Sequence, residues 1–401
     1  MQEYLIVGGG IYGTCIARWL LETEGLTHDD ITIIDPHDEL LASFEGKAAA
    51  CGMEYLRSPY VQHIGTKSFG MRKYAEEHGR IDELVSTHGN PRRPSVGLFF
   101  DYARRVIEEN GLEAMHHQAR ATDICRDSGH LVVETDAGNH HGERVVLAIG
   151  HGGAYDVPEW AADLPDEAPV HHVWEEGYDE SRVKSYDGET YVIGGGITAG
   201  QVALDLGDAG VEVTLLSRSS LQVEAIECDP QWIGWSYIQD HLHRLPSGSA
   251  ARQRLVNDER FDGTVPPYLM DDLREAEEEG LLTREIGEVR TARDTEGRIV
   301  LSLENGSVRT NVQVVLATGF ADIRTHPLVE RITAIPCLTI GDEGMPVLDD
   351  ETLEWIPADG YSGSNVYVVG ALATSVIGPF AYNIAGAKRA AERLVDDDNG
   401  Q

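Results

Sequence analysis

The sequence predicts an α/β chain of two Rossmann-like three-layer domains, the second inserted into a split first one. Three observations predict it. A strand, a glycine turn, an amphipathic helix and a second strand follow one another from Glu3 to Asp35, and the same succession returns from Thr190 to Leu216. Each copy is followed by strand-like pieces that end in a buried apolar run, Arg144 to Ile149 in the first and Gln313 to Thr318 in the second. A further strand, Val366 to Val369, and a helix from about Pro379 to Val395 come after the point where the chain would cross back. The expected boundaries are 1–160 for the first part of the split domain, 161–325 for the inserted one and 326–401 for the closing part.

In the first copy Glu3 to Val7 is the apolar strand and Gly8 to Gly13 the turn. Thr14 to Thr23 is a helix with apolar positions every three to four residues, and Ile31 to Ile34 is the second strand, ending at Asp35. In the second copy the strand is Tyr191 to Ile193, the turn Gly194 to Gly196, the helix Thr198 to Ala209 and the next strand Glu212 to Leu216. Between the copies Pro94 to Asn110 is read as a helix, with strand-like pieces around Glu113 to His116, Ala121 to Cys125 and Leu131 to Thr135. Trp232 to Gly280 is amphipathic, charge-rich and helical, an insert of about 230–280 in the second domain. Linkers are expected at Pro158 to Glu189 and Asp322 to Ile335, and the acidic tail Asp396 to Gln401 is expected to fray.

With 401 residues, 41 % apolar and 25 % charged, the chain can bury two or three cores of ordinary size, which excludes a disordered protein. Apolar runs such as Tyr4 to Val7 and Val312 to Ala317 fall far short of the roughly 20 residues of a membrane helix, so no membrane is expected. A strand beginning three residues in leaves no room for a signal peptide, and the expected location is cytoplasmic. The net charge of -36, from 68 acidic and 32 basic residues, repels nucleic acid and anionic lipid. It suits a halophilic protein, whose high-salt surroundings screen the self-repulsion. Cys15, Cys51, Cys125, Cys228 and Cys337 form no C-x-x-C pair, so neither a redox dithiol nor a zinc site is expected. The pairs His116-His117, His140-His141 and His171-His172 are adjacent residues that point to different sides of a strand, and no metal is expected there either.

The chemistry lies in the two turns. Gly8, Gly10 and Gly13 form G-x-G-x-x-G between a strand and a helix, with Asp35 at the end of the next strand. Gly8 permits the tight turn, Gly10 lets backbone approach a pyrophosphate, Gly13 allows close helix packing and Asp35 accepts from ribose hydroxyls. The pyrophosphate would sit on the helix N-terminus. The second turn has Gly194, Gly196 and Ala199, with Ser217, Arg218 and Ser219 where the first has its acid. A carboxylate there would repel a 2′-phosphate, whereas Arg218 can pair with it, which favours NADP over NAD. The alternative is that Arg218 is an ordinary solvated arginine. Two dinucleotide sites in one chain are most simply explained by hydride transfer from a nicotinamide to a flavin.

This order of motifs resembles that of the two-dinucleotide-binding-domain flavoproteins over nearly the whole chain. Val145-Val-Leu-Ala-Ile-Gly150 and Val314-Val-Leu-Ala-Thr318-Gly319 look like the segments that close each domain in that superfamily. The resemblance implies FAD in the split domain and NADP or NAD in the inserted one. The absent dithiol separates the chain from the disulfide reductases of the superfamily. Its nearest likeness is to the N-hydroxylating lysine and ornithine monooxygenases and the flavin-containing monooxygenases. Met53-Glu-Tyr-Leu-Arg57-Ser58-Pro59 looks like the segment these relatives place beside the flavin ring, and the run from Pro230-Gln-Trp232-Ile-Gly234 to Gly263-Thr-Val-Pro-Pro267 resembles an element of their nicotinamide domain. Gly370-Ala-Leu-Ala and Gly378-Pro379-Phe-Ala-Tyr-Asn383-Ile-Ala-Gly386-Ala look like their C-terminal flavin segment. Two departures stand out. Gly370-Ala371 replaces the usual Gly-Asp pair, and the His and Trp of the monooxygenase fingerprint are matched only loosely by His171, His172 and Trp174.

The resemblance also implies roles for single residues. Arg57 and Asn383 are the catalytic candidates and are also expected to border the flavin; Arg57 could bind a carboxylate or the flavin's neighbour, and the alternative for it is an ordinary surface ion pair. Ile11, Tyr12, Pro36, Gly150, Gly370, Gly378 and Pro379 join the glycines and Asp35 as flavin contacts, and Ile197, Thr198, Thr318 and Gly319 join the second turn as nicotinamide contacts. Independently of family, a helix starting near Pro379 directs free N–H groups toward its N-terminus, where they would stabilise an anionic reduced flavin.

The leading expectation is an FAD- and NADPH-dependent oxidoreductase, a monooxygenase that hydroxylates a small molecule with dioxygen and reduced flavin. An NAD(P)H-dependent reductase serving a quinone or other acceptor is the second reading. A non-catalytic flavin-binding sensor is the third, and Ala371 lends it weight. The sequence does not fix the substrate or the oligomeric state. All three readings require the turns near residues 8 and 194 to face a shared cleft.

Overall fold

Two sheets of the same topology carry the chain. The computed structural model describes residues 1–22, 25–87, 92–295, 297–335, 337–358 and 363–398. The first sheet holds β1 (Gln2–Val7), β2 (Ile31–Asp35), β3 (His116–Gln118), β4 (Ala121–Asp127), β5 (His130–Thr135) and β6 (Gly138–Leu147) in the order β3-β2-β1-β6-β5-β4. The second holds β7 (Val170–His172), β8 (Glu189–Ile193), β9 (Val213–Ser217), β10 (Leu282–Ile286), β11 (Val289–Asp294), β12 (Ile299–Leu303) and β13 (Val308–Leu316), in the order β10-β9-β8-β13-β12-β11 with β7 beside β13. A last strand, β14 (Val366–Val368), returns to the first sheet and pairs parallel with β6. In each sheet a parallel half continues into an antiparallel meander.

The residue pattern explains this division. Parallel strands covered on both faces need unbroken apolar runs, and every residue of β2 and β9 is buried. The meander strand β12 alternates buried and half-buried residues, as a strand with one covered face does. The helix of the first copy, α1 (Ile11–Leu20), shares a core with the C-terminal helix α7 (Ile384–Asp398): Cys15, Ile16 and Leu20 lie in one cluster with Ala387, Ala391 and Leu394. In the second sheet the two faces feed separate cores. Val192 of β8 packs with α3 (Ile197–Asp208) and α6 (Pro267–Glu278), while its neighbour Tyr191 packs with Leu301 of the meander. Between β2 and β3 the chain forms α2 (Val96–Glu109), whose Ser95 cap accepts from the Leu98 amide. That is the three-layer arrangement expected from the sequence.

Four local readings need correction. The helical stretch Trp232 to Gly280 is three helices, α4 (Trp235–His241), α5 (Ala250–Glu259) and α6, interrupted where Pro246, Gly248, Gly263 and Pro266 fall. In the second gap Thr264–Val265 pairs as a short parallel strand with Gln222–Val223. The supposed linker Pro158 to Glu189 contributes β7 to the second sheet and a short helix, Glu180–Lys184, whose N-cap Asp179 accepts from the amides of Ser181 and Arg182. The other linker contains the helix Pro327–Thr333, tied to β4 by Arg331, whose Nη1 donates to the Thr122 carbonyl. Glu113 to His116 begins as a 3-10 turn, Leu112–Met115, with the strand starting only at His116. The acidic tail lies outside the described residues from 399 onward; helix α7 runs to Asp398.

The insert is fastened to the closing part of the first domain by Arg252 of α5. Its side chain is 1 % exposed, forms a two-pronged ion pair with Asp350 (2.5 and 2.7 Å), and donates to the carbonyls of Leu245 and Ser375. Trp232, Ile238, Leu242 and Val256 of the insert bury Phe380 in the same region.

Candidate functional site

At the first turn Gly8 has φ +113°, and a Cβ on it would lie 2.5 Å from the Ala148 carbonyl oxygen, so only glycine fits. Its amide donates to the Ile34 carbonyl (2.8 Å), which ties the turn to β2. A Cβ on Gly13 would lie 1.8 Å from the Gly8 oxygen, the close helix–strand approach expected for the third glycine. Gly10 differs: nothing lies within 4 Å of the direction its side chain would take. It stands at the N-cap of α1 with no side-chain cap, leaving the first-turn N–H groups for a ligand. Asp35 accepts from the Gly9 amide (2.6 Å) through Oδ2, while its Oδ1 is held by the amide (2.9 Å) and ring Nδ1 (2.8 Å) of His37. Oδ2 retains a lone pair for a ribose hydroxyl. This first cradle fits the pyrophosphate and ribose of FAD.

The second turn repeats the geometry. A Cβ on Gly194 would lie 2.4 Å from the carbonyl oxygen of Ala317, and its amide donates to the Leu216 carbonyl (3.1 Å). Ala199 sits where the first copy has Gly13, and a Cβ on Gly194 would lie 2.9 Å from the Ala199 methyl. One feature differs from the first cradle: backbone of Gly263, from the insert, comes within 3.5 Å of the Cβ position of Gly196. At the end of β9 the Ser217 hydroxyl donates to the Ser219 carbonyl (2.8 Å). Arg218 is exposed and forms no ion pair among the described residues. A free cation there fits a 2′-phosphate.

Beyond the two cradles the chain crosses between domains twice, side by side. The Asp156 amide donates to the Gly319 carbonyl (3.1 Å) and the Ala321 amide to the Ala154 carbonyl (3.0 Å), while the Thr318 hydroxyl donates to the Asp156 carbonyl. Gly150 and Gly319, which close the two sheets, both have positive φ. The residues that follow them meet: His151 stacks on Phe320 with centroids 4.4 Å apart. Tyr382 flanks His151 (5.3 Å), and the Arg260 guanidinium lies 4.0 Å over Tyr382. Trp174 also stacks against Phe320 (4.9 Å). Burial, together with the cations of Arg260 and Lys47, pushes His151 down to about 4, so it is neutral at ordinary pH.

The C-terminal segment does not form one helix from Pro379. Pro379–Tyr382 is a 3-10 turn after Gly378 (φ +80°), and α7 starts at Ile384 because Asn383 caps it, Oδ1 accepting from the amides of Ala385 (3.1 Å) and Gly386 (3.3 Å). Asn383 therefore has its side-chain carbonyl oxygen engaged as a cap. The Tyr12 hydroxyl donates to the Ala381 carbonyl (2.6 Å), joining this segment to the first cradle. Gly370 crosses over Gly150, whose carbonyl accepts from the Ala371 amide (3.1 Å). Pro36 follows Asp35, and Ile197 and Thr198 open α3.

Arg57 departs furthest from its expected use. Its Nη2 donates to the Glu224 carbonyl (2.8 Å) and the Thr264 hydroxyl (3.1 Å), and Nε donates to the Ala225 carbonyl (3.2 Å). The guanidinium fastens the 53–59 segment to the second domain, and its Nη1 lies 3.8 Å from Glu227 Oε1. Sequence reasoning passed over His151, Phe320, Tyr382, Arg260 and Lys47. A signal for two of them existed, since His151 and Phe320 each follow the closing glycine of a repeat. Among the described residues no cluster of His, Cys, Asp and Glu could hold a metal, and no helix is long and apolar enough to cross a membrane.

A family model described as FAD-NAD(P)-binding matches residues 5–152. No curated protein matches the chain by sequence. Among solved structures it is similar to the FAD-bound cadaverine monooxygenase of desferrioxamine biosynthesis from Erwinia amylovora, with a TM-score of 0.76 and 15 % identity over 100 % of this chain and 95 % of that one. The ornithine N-hydroxylase of Kutzneria sp. 744, solved with reduced FAD, NADP+ and L-ornithine, gives 0.77 and 16 % over 100 % and 99 %. Bacillithiol disulfide reductase from Bacillus cereus gives 0.62 and 18 % over 100 % and 99 %. The chain thus has the fold of the two-domain flavin- and nicotinamide-dependent oxidoreductases. Within that fold its TM-scores are higher against these N-hydroxylating monooxygenases than against the disulfide reductase.

Proposed function

We propose that the protein is an FAD- and NADPH-dependent monooxygenase that hydroxylates a small molecule. The observation that carries this reading is the abutment of the two closing turns. Gly150-His151 and Gly319-Phe320 meet through stacked rings, so cradles at the carboxyl ends of both sheets open toward one seam. Residues 1–160 and 326–401 would hold FAD, and residues 161–325 NADPH. Bound there, the flavin supplies hydride acceptance from the nicotinamide and reduction of dioxygen, one atom of which enters the product.

The chain's own part is binding and shielding. The N-terminus of α1 and the Gly8–Gly13 turn hold the flavin pyrophosphate while Asp35 accepts from its ribose. The N-terminus of α3 does the same for the nicotinamide dinucleotide, and Arg218 selects the 2′-phosphate. His151, Phe320, Trp174 and Tyr382 exclude water from the seam. Being uncharged above about pH 4, His151 adds no cation beside the flavin. Asn383 and Arg57 act by positioning: one sets the start of α7 and the other clamps the 53–59 segment. The acidic surface suits a halophilic, cytoplasmic setting.

The test is to purify the protein in molar salt, measure bound flavin, and follow NADPH and oxygen consumption with ornithine, lysine and cadaverine as trial substrates. The expected result is stoichiometric flavin and a hydroxylated product formed with one NADPH and one dioxygen. Protein that neither contains nor takes up flavin sinks the reading; rapid reduction of a quinone without oxygen use transfers it to the reductase class.

A further inference from the structure

One arginine breaks the rule that the others obey. In a chain this acidic the buried and partly buried arginines are matched: Arg80 with Glu83 and Asp101, Arg284 with Glu277, Arg309 with Glu285, Arg389 with Glu392, Arg252 with Asp350. Arg93 is partly buried too, yet among the described residues its side chain forms no ion pair and no hydrogen bond. Its guanidinium carbon lies 3.4 Å from the ring centre of Tyr268 and 5.0 Å from that of Tyr55. Its Nε is buried without a partner, as is the Tyr268 hydroxyl. Nη1 and Nη2 form no hydrogen bond among the described residues, which leaves their donors available to a ligand.

The frame around this fork is rigid. The 93–96 segment zips onto 54–56, the Leu56 amide donating to the Pro94 carbonyl (3.0 Å) and the Val96 amide to the Glu54 carbonyl (2.8 Å). Tyr268 comes from the other domain, on the first turn of α6, which packs against α3 where a Cβ on Gly200 would touch Leu269 at 3.1 Å. Arg93 therefore stands where the flavin-side 53–59 segment meets the nicotinamide-side helix. Glu54 and Asp272 lie further off; burial raises the Asp272 carboxyl, against the pull of Arg93.

We propose that Arg93, Tyr55 and Tyr268 form an oxyanion-binding box at this seam, which takes the carboxylate or phosphate of a small molecule on the free edge of Arg93. A guanidinium held against two rings has less side-chain entropy left to lose, and its fork matches both groups in a two-pronged geometry. The unpartnered Tyr268 hydroxyl carries a desolvation cost that a ligand oxygen would remove. Two sources offer this chemistry: a phosphate of the nicotinamide dinucleotide, or the carboxylate of a separate small molecule.

Calorimetric titration of the flavin-loaded protein with NADP+ and, separately, with succinate tells them apart, because it reads binding and not turnover. Arg93→Met is expected to weaken one of the two by about tenfold or more. Loss on NADP+ alone assigns the box to the dinucleotide, and loss on succinate alone assigns it to a second small molecule. Arg93→Lys keeps the charge without the fork and is expected to recover little of the affinity; Tyr268→Phe is expected to lose threefold to fivefold. Both variants preserve the bulk at the seam and carry the test if Arg93→Met does not fold. Changes of less than twofold for both ligands in the Lys and Phe variants, or no measurable binding of either by the wild type, overturn the proposal. Flavin content measured on the same samples shows separately whether the cofactor assignment holds.

Discussion

Replacing Gly10 by valine separates folding from flavin binding in a way that replacing Gly13 does not. Gly10 has φ -74° and ψ -162°, a backbone any L-residue adopts, and no atom lies within 4 Å of its Cβ position. Loss of a favoured N-cap residue costs roughly 0.5–1 kcal/mol. The entropy removed from the unfolded chain returns about 0.4–1 kcal/mol. The flavin-free protein should therefore unfold within about 1 kcal/mol of wild type, the difference between those two estimates. Flavin binding should collapse, because the valine occupies the approach of the pyrophosphate to the first turn of α1. Loss of two charge-assisted hydrogen bonds at about 1.5–3 kcal/mol each is about 3–6 kcal/mol, a weakening of roughly a hundredfold to ten-thousandfold. Gly13→Ala, with its Cβ 1.8 Å from the Gly8 oxygen, must push α1 off β1 and should destabilise by about 1–3 kcal/mol or more with or without flavin. The assay pairs denaturant unfolding of flavin-free protein with the ratio of visible to protein absorbance after reconstitution, since bound ligand itself raises stability. A Gly10→Val protein that retains wild-type flavin affinity would refute the assignment of this turn.

Arg218→Glu is expected to raise the KM for NADPH about tenfold or more while leaving that for NADH unchanged or lower, read from initial rates at fixed salt. His63, His151 and His172 are each lowered to about 4 by burial, from an ordinary value near 6.5. The unfolded chain then binds more protons than the folded one between those values, so their contribution to stability is complete above about pH 6.5 and lost as pH falls toward 4. His151→Phe keeps the stack and removes one titration, and its melting temperature should fall less steeply over that window; an unchanged slope contradicts the neutral assignment. Asp350→Ala strips the buried Arg252 of its counter-charge and should destabilise by about 3–5 kcal/mol, with proteolysis appearing first between Leu242 and Asp262.

What could be seen in the sequence was local. Gly8, Gly10 and Gly13 are spaced by the sterics of one turn, and Asp35 follows from the register of the next strand, so a single βαβ unit contains its own explanation. Tyr191 and Val192 could likewise be placed on opposite faces by alternation. What could not be seen depended on three-dimensional partners or on local backbone geometry. Arg57 looked like a ligand-facing cation until Glu224, Ala225 and Thr264 came to it from the second domain. Asn383 looked like an interior residue of a long helix because only its own backbone geometry reveals the cap. Arg260 gave no signal at all, since what it covers, Tyr382, lies more than a hundred residues away. The linker 158–189 appeared empty because β7, three residues long, is held by β13 and not by any preference of its own.

The paired crossings near Ala154 and Ala321 make the inserted domain, in topological terms, a very long loop with both feet on the same spot. Joining those two residues directly would ask the chain to span little more than one strand spacing, about 4.8 Å. Excision would leave the outer sheet's hydrogen bonds untouched, and a foreign unit with adjacent ends could be set in the same place.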